Sequence, residues 1–194
     1  MLENYMNRRE VVSILCSKRE NLLIVSGLGS PTYDVHAAGD SDKNFYLWGA
    51  MGGAAMMGLG LSLARPDNSV LVITGDGEQL MGLGALATIA VQKPKNLTIA
   101  VLDNEHFGET GMQKSHTGHT VSLTSVAKAS GFPVALDLIT MSDVIKSHDK
   151  LLNNENLTFL NIKVSTQQVK RSLPILDGVE IKNRFKRSIE NTEI

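Results

Sequence analysis

Two stretches of the chain, VLVITGDG (residues 70–77) and LTIAVLDN (residues 97–104), decide the fold. Each is a run of Val, Ile and Leu that ends in polar residues, which is typical of a strand buried on both faces of a parallel sheet. The 26 residues between Gly77 and Asn104 are enough for one helix and a return strand. A right-handed crossover would then bring Asp76 and Asn104 to the same carboxyl edge, where open α/β sheets bind ligands.

Outside these stretches, short apolar runs alternate with longer helix-like segments. This alternation predicts an α/β fold, a doubly wound and mostly parallel sheet with helices on both faces. Further strands are predicted at residues 22–26 and 157–164, with a fifth candidate at residues 132–136. Helices are predicted at residues 52–64, 79–91, 122–129 and 141–153.

The last thirty residues differ in character from the rest. Residues 1–165 read as one domain, whereas residues 166–194 form a polar C-terminal arm that carries more bases than acids. Charged runs are usually solvated, so one interpretation is a tail with a short helix near residues 181–189. The other is an arm that contacts another subunit, and the sequence favours neither.

Composition narrows the classes of protein. A net charge of -1 with both signs mixed gives no sign of a nucleic-acid-binding surface. The single cysteine, Cys16, has no partner for an internal disulfide, and no Cys/His cluster has metal-binding spacing. No stretch resembles a signal peptide or is long and apolar enough to span a bilayer comfortably. We therefore expect a soluble, cytoplasmic protein.

The polar strand ends suit a divalent metal ion that holds a diphosphate. Mg²⁺ prefers hard oxygen ligands, often carboxylates together with phosphates and water. Asp76 offers a carboxylate oxygen, Asn104 an amide oxygen, and a backbone carbonyl just beyond Asn104 could add a third. Gly75 and Gly77 allow backbone N–H groups to approach phosphate oxygens, at the positive end of the following helix.

This pair of motifs resembles the metal–diphosphate motif of the thiamine-diphosphate enzymes, a Gly-Asp-Gly followed some two dozen residues later by asparagine. Two further stretches carry the resemblance, WGAMGG (48–53) and NEHFGETG (104–111), and it extends from about residue 22 to residue 163. It implies the thiamine-diphosphate-binding fold, with thiamine diphosphate and Mg²⁺ as cofactors. A nucleotide-binding domain that mimics the motif is the alternative, because Gly-Asp-Gly alone is also a good turn sequence.

The resemblance implies a role for each matching residue. Asp76, Asn104 and the carbonyl of His106 would bind the metal. Met51 would support the folded cofactor between its two rings and so take part in catalysis, although ordinary core packing is the more common role of methionine. The implied cofactor-binding residues are Ser30, Gly49, Met51, Gly75, Asp76, Gly77, Asn104, Phe107 and Gly108. Ser30 could instead belong to a simple turn.

Other polar residues near the motif are harder to assign. Glu78 replaces the small residue often found after Gly-Asp-Gly, and a carboxylate beside a diphosphate is unfavourable, so it receives no ligand role. His116 follows the metal loop and is a candidate to face the substrate, with an exposed loop histidine as the alternative. His36 and His148 are expected at the surface. Lys114, Lys170 and Arg171 could bind an anionic substrate group, or could be solvated surface charges.

The resemblance further implies decarboxylation of a small 2-oxo acid. The stretches NFYLWGAMGGAAMMGLGLSLA (44–64) and GDGEQLMGLGALATIAVQ (75–92) are similar to the beta subunits of sulfopyruvate decarboxylases and to the matching region of phosphonopyruvate decarboxylases. Members of the family use a glutamate from a separate pyrimidine domain, for which 194 residues leave no room, so a partner alpha subunit is expected to supply it.

Other functions remain open at this stage. The alternatives are an acetolactate-synthase-like carboligase subunit and a cofactor-binding regulatory subunit without turnover. A 2-oxo acid:ferredoxin oxidoreductase subunit is disfavoured because that class depends on iron–sulfur clusters, often with nearby cysteines, and this chain has one cysteine.

Overall fold

Six parallel strands form the central sheet of the structure, a computed structural model that describes residues 5–19, 21–151, 153 and 155–190. The strands are β1 (Leu22–Ser26), β2 (Asn44–Tyr46), β3 (Ser69–Gly75), β4 (Leu97–Asp103), β5 (His106–Phe107), β6 (Gln113–Lys114), β7 (Val134–Leu138) and β8 (Thr158–Lys163). The sheet order is β2-β1-β3-β4-β8-β7, while β5 and β6 form a short antiparallel hairpin. The predicted α/β fold is confirmed.

Helices cover both faces of this sheet. They are α1 (Arg8–Leu15), α2 (Ser30–Ala37), α3 (Ala54–Ala64), α4 (Asp76–Met81), α5 (Ala85–Gln92), α6 (Leu123–Ser130), α7 (Met141–Leu151) and α8 (Gly178–Glu190). One apolar core lies between the sheet and α3, α5 and α6, and a second lies under α1, α2 and α7. Because both faces are buried, β1 and β4 consist of fully buried residues, as the continuous apolar runs predict.

The register of the two central strands positions the motif. Gly75 at the end of β3 pairs with Leu102 near the end of β4. Asp76 and Asn104 therefore leave the sheet at the same carboxyl edge, as the crossover argument predicts.

The helix predicted at residues 79–91 is broken. It consists of α4, which begins earlier at Asp76, and α5, with a turn at residues 82–84 between them. The break brings the backbone of Gly82 against the loop at Gly52, where a Cβ on Gly82 would lie 2.2 Å from the Gly52 carbonyl oxygen. Glycine is therefore needed at this contact, which fixes the loop that carries Met51.

Two short helices, α1 and α2, were not predicted from the sequence. Five consecutive residues of α2 are buried (Pro31–Val35), so this helix has no amphipathic stripe to detect. The side chain of Asn7, the residue before α1, accepts hydrogen bonds from the N–H groups of Arg9 and Glu10, and an asparagine at this position is a helix-start signal that the sequence contains.

The expectation that His148 lies at the surface is wrong. Helix α7 packs on α1 and leaves His148 4% exposed beside Ser17.

The C-terminal arm folds back over its own chain. Its extended part is held where Trp48 donates to the carbonyl of Ile175 at 3.1 Å and where His36 meets Ser172 at 2.8 Å. Helix α8 then covers edge strand β2, with Phe185 packed edge-to-face on Phe45. A contact between this arm and another subunit stays a prediction. No helix among the described residues is long and apolar enough to cross a membrane.

Candidate active site

A cleft opens at the carboxyl edge of the sheet, where β1, β3 and β4 end. Its walls come from the loop after β1, the loop that carries Met51, the start of α4, and the segment after β4. Nine of the residues proposed from the sequence line it: Ser30, Met51, Gly75, Asp76, Gly77, Asn104, His106, Phe107 and Gly108. The fold thus brings together residues from four separate segments.

Asp76 lies at the floor of the cleft as the first residue of α4, and it is 2% exposed. Its Oδ2 accepts hydrogen bonds from the hydroxyls of Ser115 and Thr117, the latter at 3.1 Å. The pKa of Asp76 is raised to about 6, mainly by burial and also by the nearby Asp103 carboxylate, although hydrogen bonds from the Ser115 and Thr117 hydroxyls act in the opposite direction. The carboxylate is thus pre-oriented and poorly solvated, a state that a bound cation would relieve.

A buried charged network supports this carboxylate from behind. The hydroxyl of Thr117 also donates to Asp103 at 2.7 Å, and the Lys163 ammonium bridges Asp103 at 2.7 Å and Glu105 at 2.9 Å. Burial alone would lower the pKa of Lys163, but its hydrogen bonds to Asp103 and Glu105 outweigh this effect and raise the pKa. Neither these four network residues nor Ser115 was singled out as a site residue from the sequence. The one local signal was Asp103, a charged residue at the end of an apolar strand.

Asn104 is held by a tight turn at the end of β4. Its side-chain oxygen accepts from the backbone N–H of His106 at 3.0 Å, and the His106 ring meets the carbonyl of Asn104 at 2.8 Å. Glu105 between them has a φ of 63°, a left-handed conformation that reverses the chain. The turn places Asn104 and His106 together in the lining of the cleft to which Asp76 also belongs.

Met51 and Phe107 form an apolar wall beside the Gly-Asp-Gly segment. A Cβ on Gly77 would lie 2.7 Å from the Phe107 ring and 3.8 Å from the Met51 methyl group. Glycine is therefore required at residue 77 for Phe107 to pack over the start of α4. Met51 is 41% exposed and lines the cleft, unlike a methionine that fills a gap in the core.

Glu78 borders the cleft but is anchored in the protein. Its Oε2 accepts from the backbone N–H of Leu28 at 3.0 Å and from the Thr74 hydroxyl at 2.9 Å. Burial raises the pKa of Glu78, while these hydrogen bonds oppose the change. The side chain therefore ties the loop after β1 to the end of β3. That it has no ligand role stays a prediction.

Two of the proposed residues lie outside the cleft lining. Gly49 is exposed, and His116 is exposed with its ring 6.3 Å from that of Phe107. The surface cations considered for an anionic substrate group are also peripheral, since Lys114 and Lys170 are exposed and Arg171 pairs with Glu109 at 3.2 Å. The roles of all of these residues stay predictions.

The donor set fits a metal-bound diphosphate. Asp76 and Asn104 supply hard oxygen donors to the same cleft, which suits Mg²⁺. Helix α2 begins at Ser30 without a side-chain cap, and Pro31 has no N–H, so the backbone N–H groups of Ser30 and Thr32 are the ones that could bind an anion. The apolar wall of Met51, Phe107 and Leu102 suits the rings of a cofactor.

Comparisons with known proteins agree with this geometry. The profile of the family described as thiamine pyrophosphate enzyme, C-terminal TPP binding domain, matches residues 33–162. The fold is shared with benzoylformate decarboxylase from Polynucleobacter necessarius at a TM-score of 0.66, with 16% identity over 83% of this chain and 33% of that one. The chain therefore belongs to the thiamine pyrophosphate enzymes and contains their C-terminal cofactor-binding domain.

Two relatives narrow the group. Subunit beta of sulfopyruvate decarboxylase from Methanocaldococcus jannaschii is 36% identical over 97% of this chain and 100% of the relative. Sulfopyruvate decarboxylase from Methanosarcina acetivorans is 31% identical over 97% of this chain, which corresponds to 49% of that relative. Within the thiamine pyrophosphate enzymes, the chain is a member of the family of sulfopyruvate decarboxylase beta subunits.

Because the pKa of Asp76 is raised, the free energy of unfolding of the metal-free protein should depend on pH. A carboxyl group whose folded pKa of about 6 exceeds its ordinary value of 3.8 favours folding when protonated, so stability rises as the pH falls from about 6 to 4. At pH 7.5 the ionised group lowers the free energy of unfolding by at most about 3 kcal/mol. We expect Asp76→Asn to be more stable than the wild type at pH 7.5 in EDTA, and equal near pH 4.

Urea denaturation at both pH values measures this difference. Asp67→Asn, which removes an exposed carboxylate, is the control and should leave the profile unchanged. A less stable Asp76→Asn variant at pH 7.5 would show that the hydroxyl bonds of Ser115 and Thr117 outweigh desolvation.

Proposed function

We propose that the chain is the beta subunit of a thiamine-diphosphate-dependent sulfopyruvate decarboxylase, which converts sulfopyruvate to sulfoacetaldehyde and CO₂. The observation that carries this proposal is that Asp76 and Asn104 line the same cleft, which also has an apolar wall. The family membership and the names of the two relatives support the same reaction.

The polar side of the cleft would hold Mg²⁺ and the diphosphate. Asp76, Asn104 and the carbonyl of His106 are the proposed metal ligands, with phosphate oxygens and water completing the shell. Ser30 and the first turn of α2 would donate hydrogen bonds to the phosphates. The network of Thr117, Asp103 and Lys163 fixes the orientation of Asp76 and so reduces the cost of ordering the site on binding.

The apolar side of the cleft would position the rings. Met51 and Phe107 both approach Gly77, beside the proposed metal ligand Asp76, so they are the residues that would contact the rings. Thiamine diphosphate supplies an electron sink that allows a 2-oxo acid to lose CO₂. The contribution of this chain is to hold the cofactor, to fix the distance between its two ends, and to exclude water on the Met51 side.

A reconstitution assay tests the proposed reaction. The chain, mixed with its proposed alpha subunit, Mg²⁺ and thiamine diphosphate, should release CO₂ and an aldehyde from sulfopyruvate. Phosphonopyruvate is the comparison substrate and should have a lower kcat/KM. A higher kcat/KM for phosphonopyruvate would contradict the substrate assignment but not the reaction class.

Met51 provides a test of the apolar wall. Met51→Ala should lower kcat by about ten- to a hundredfold, because misplacing reacting groups by about an ångström has an effect of this size. Metal binding should remain unchanged, since Asp76 and Asn104 are untouched. Met56→Ala is the matched control, because Met56 has the same 41% exposure but does not line the cleft. If the two variants lost activity equally, Met51 would have no special role.

A further inference from the structure

Arg8 is the one permanent cation among the described residues that line the cleft. The other charged side chains of the lining are the carboxylates of Asp76, Glu78 and Glu109. The side chain of Arg8 is only 10% exposed, although it comes from α1, far from the motif in sequence. A buried guanidinium needs anionic partners, because burying an unpaired charge is unfavourable.

Asp34 holds this guanidinium in place without neutralising its surroundings. The Arg8 Nε donates to Asp34 Oδ2 at 2.6 Å, and Arg9 binds the other carboxylate oxygen at 2.9 Å. Two arginines thus share one carboxylate, and the cluster keeps a net charge of +1. In the described part of the chain, the other partner of Arg8 is the Gln167 carbonyl at 3.4 Å. Guanidinium has five N–H donors, so donors remain for a ligand.

The position of Arg8 indicates which anion it meets. Asp34 lies one helical turn after Ser30, so its ion pair places Arg8 beside the first turn of α2. In the sheet order, β3 separates β1 from β4. Arg8 and Ser30 therefore lie on the β1 side of Asp76, and Asn104 lies on the β4 side.

We propose that Arg8 binds the terminal phosphate of the cofactor's diphosphate, on the β1 side of the metal. This inference rests on the proposed function. Arg8 adds a charge-assisted, forked donor to the phosphate site formed by Ser30 and the first turn of α2. Its charge offsets the repulsion between the diphosphate and the carboxylates of Glu78 and Glu109 on the same wall.

Calorimetric titration of the full chain with pyrophosphate in the presence of Mg²⁺ tests the assignment, followed by titration with thiamine diphosphate. Arg8→Met should weaken both ligands by about ten- to a hundredfold, the usual effect of losing a charge-assisted bond. Arg9→Met is the matched control, because it also leaves Asp34 with one arginine but removes a side chain that does not line the cleft. It should change either affinity by less than about threefold.

The outcomes separate this inference from the proposed function. A wild-type chain that binds neither ligand, even with its alpha subunit, would contradict the proposed function itself. Wild-type binding with equal effects in Arg8→Met and Arg9→Met would overturn only the role of Arg8. Unchanged affinities with a raised KM for sulfopyruvate would also overturn it, and would assign Arg8 to the substrate sulfonate. If Arg8→Met fails to fold, Arg8→Gln keeps a donor for Asp34 and should show the same loss.

Discussion

Asp76→Ala is expected to abolish Mg²⁺-dependent binding of thiamine diphosphate while the chain remains folded. Asp76 is the carboxylate of the Gly-Asp-Gly segment and lines the cleft together with Asn104, and the hydroxyls of Ser115 and Thr117 hold its orientation. Loss of outer-shell partners alone typically weakens metal affinity by about 10- to 100-fold, so loss of a ligand should exceed a hundredfold. Titration calorimetry of the assembled enzyme measures the change.

Asp76→Asn and Asp67→Ala complete this experiment. The asparagine keeps an acceptor for Ser115 and Thr117, so a similar loss of binding in Asp76→Asn would show that the negative charge matters and not only the fold. Asp67→Ala removes an exposed acid and should bind as the wild type does. Unchanged binding in Asp76→Ala would remove the central claim about the metal site.

The second large effect is expected from the partner subunit. The chain by itself should show no decarboxylation of sulfopyruvate, because each carboxylate that lines the cleft has a proposed role or at least one partner within the chain. Asp76 is the proposed metal ligand, Glu78 is bound to Leu28 and Thr74, and Glu109 pairs with Arg171. We therefore expect a partner subunit to donate the activating group. The carboxylate within this chain that could contradict the expectation is Glu78, whose Oε1 has no hydrogen-bond partner in the described part of the chain.

The surface beside the cleft supports the same expectation. Met51 and Met81 are 41% and 68% exposed, and Met81 lies against the loop that carries Met51, so the two form an apolar group next to the site that would be covered in a complex. A cleft open on this side would also admit water to the reacting carbon, which a partner surface would exclude.

Mixing experiments test the dependence on a partner. Adding the pyrimidine-domain subunit should restore formation of sulfoacetaldehyde, and adding it to Asp76→Ala should not. Replacing the partner's activating glutamate with glutamine should leave the complex assembled but slow. Robust turnover by the wild-type chain alone would contradict this prediction and would point to an activating group within these residues.

The sequence by itself determined the sheet and the centre of the cleft. Strands β1, β3, β4 and β8 could be predicted because strands buried on both faces appear as continuous apolar runs. The motif then follows from local information, since Gly75–Gly77 and Asn104 end two consecutive parallel strands. Turn geometry that depends on contact between distant parts of the backbone could not be predicted. The clearest example is the break between α4 and α5, where Gly82 packs against the backbone of Gly52.

Only the tertiary structure decided what surrounds Asp76. Ser115 is 39 residues from Asp76, and Lys163 is 60 residues from Asp103, so no local pattern reveals either contact. Arg8 enters the cleft because α1 packs beside α2 and Asp34 holds its guanidinium. In sequence these residues look like ordinary surface polar residues. Their burial and partners arise from packing between elements, which a single sequence with periodic apolar positions does not encode locally.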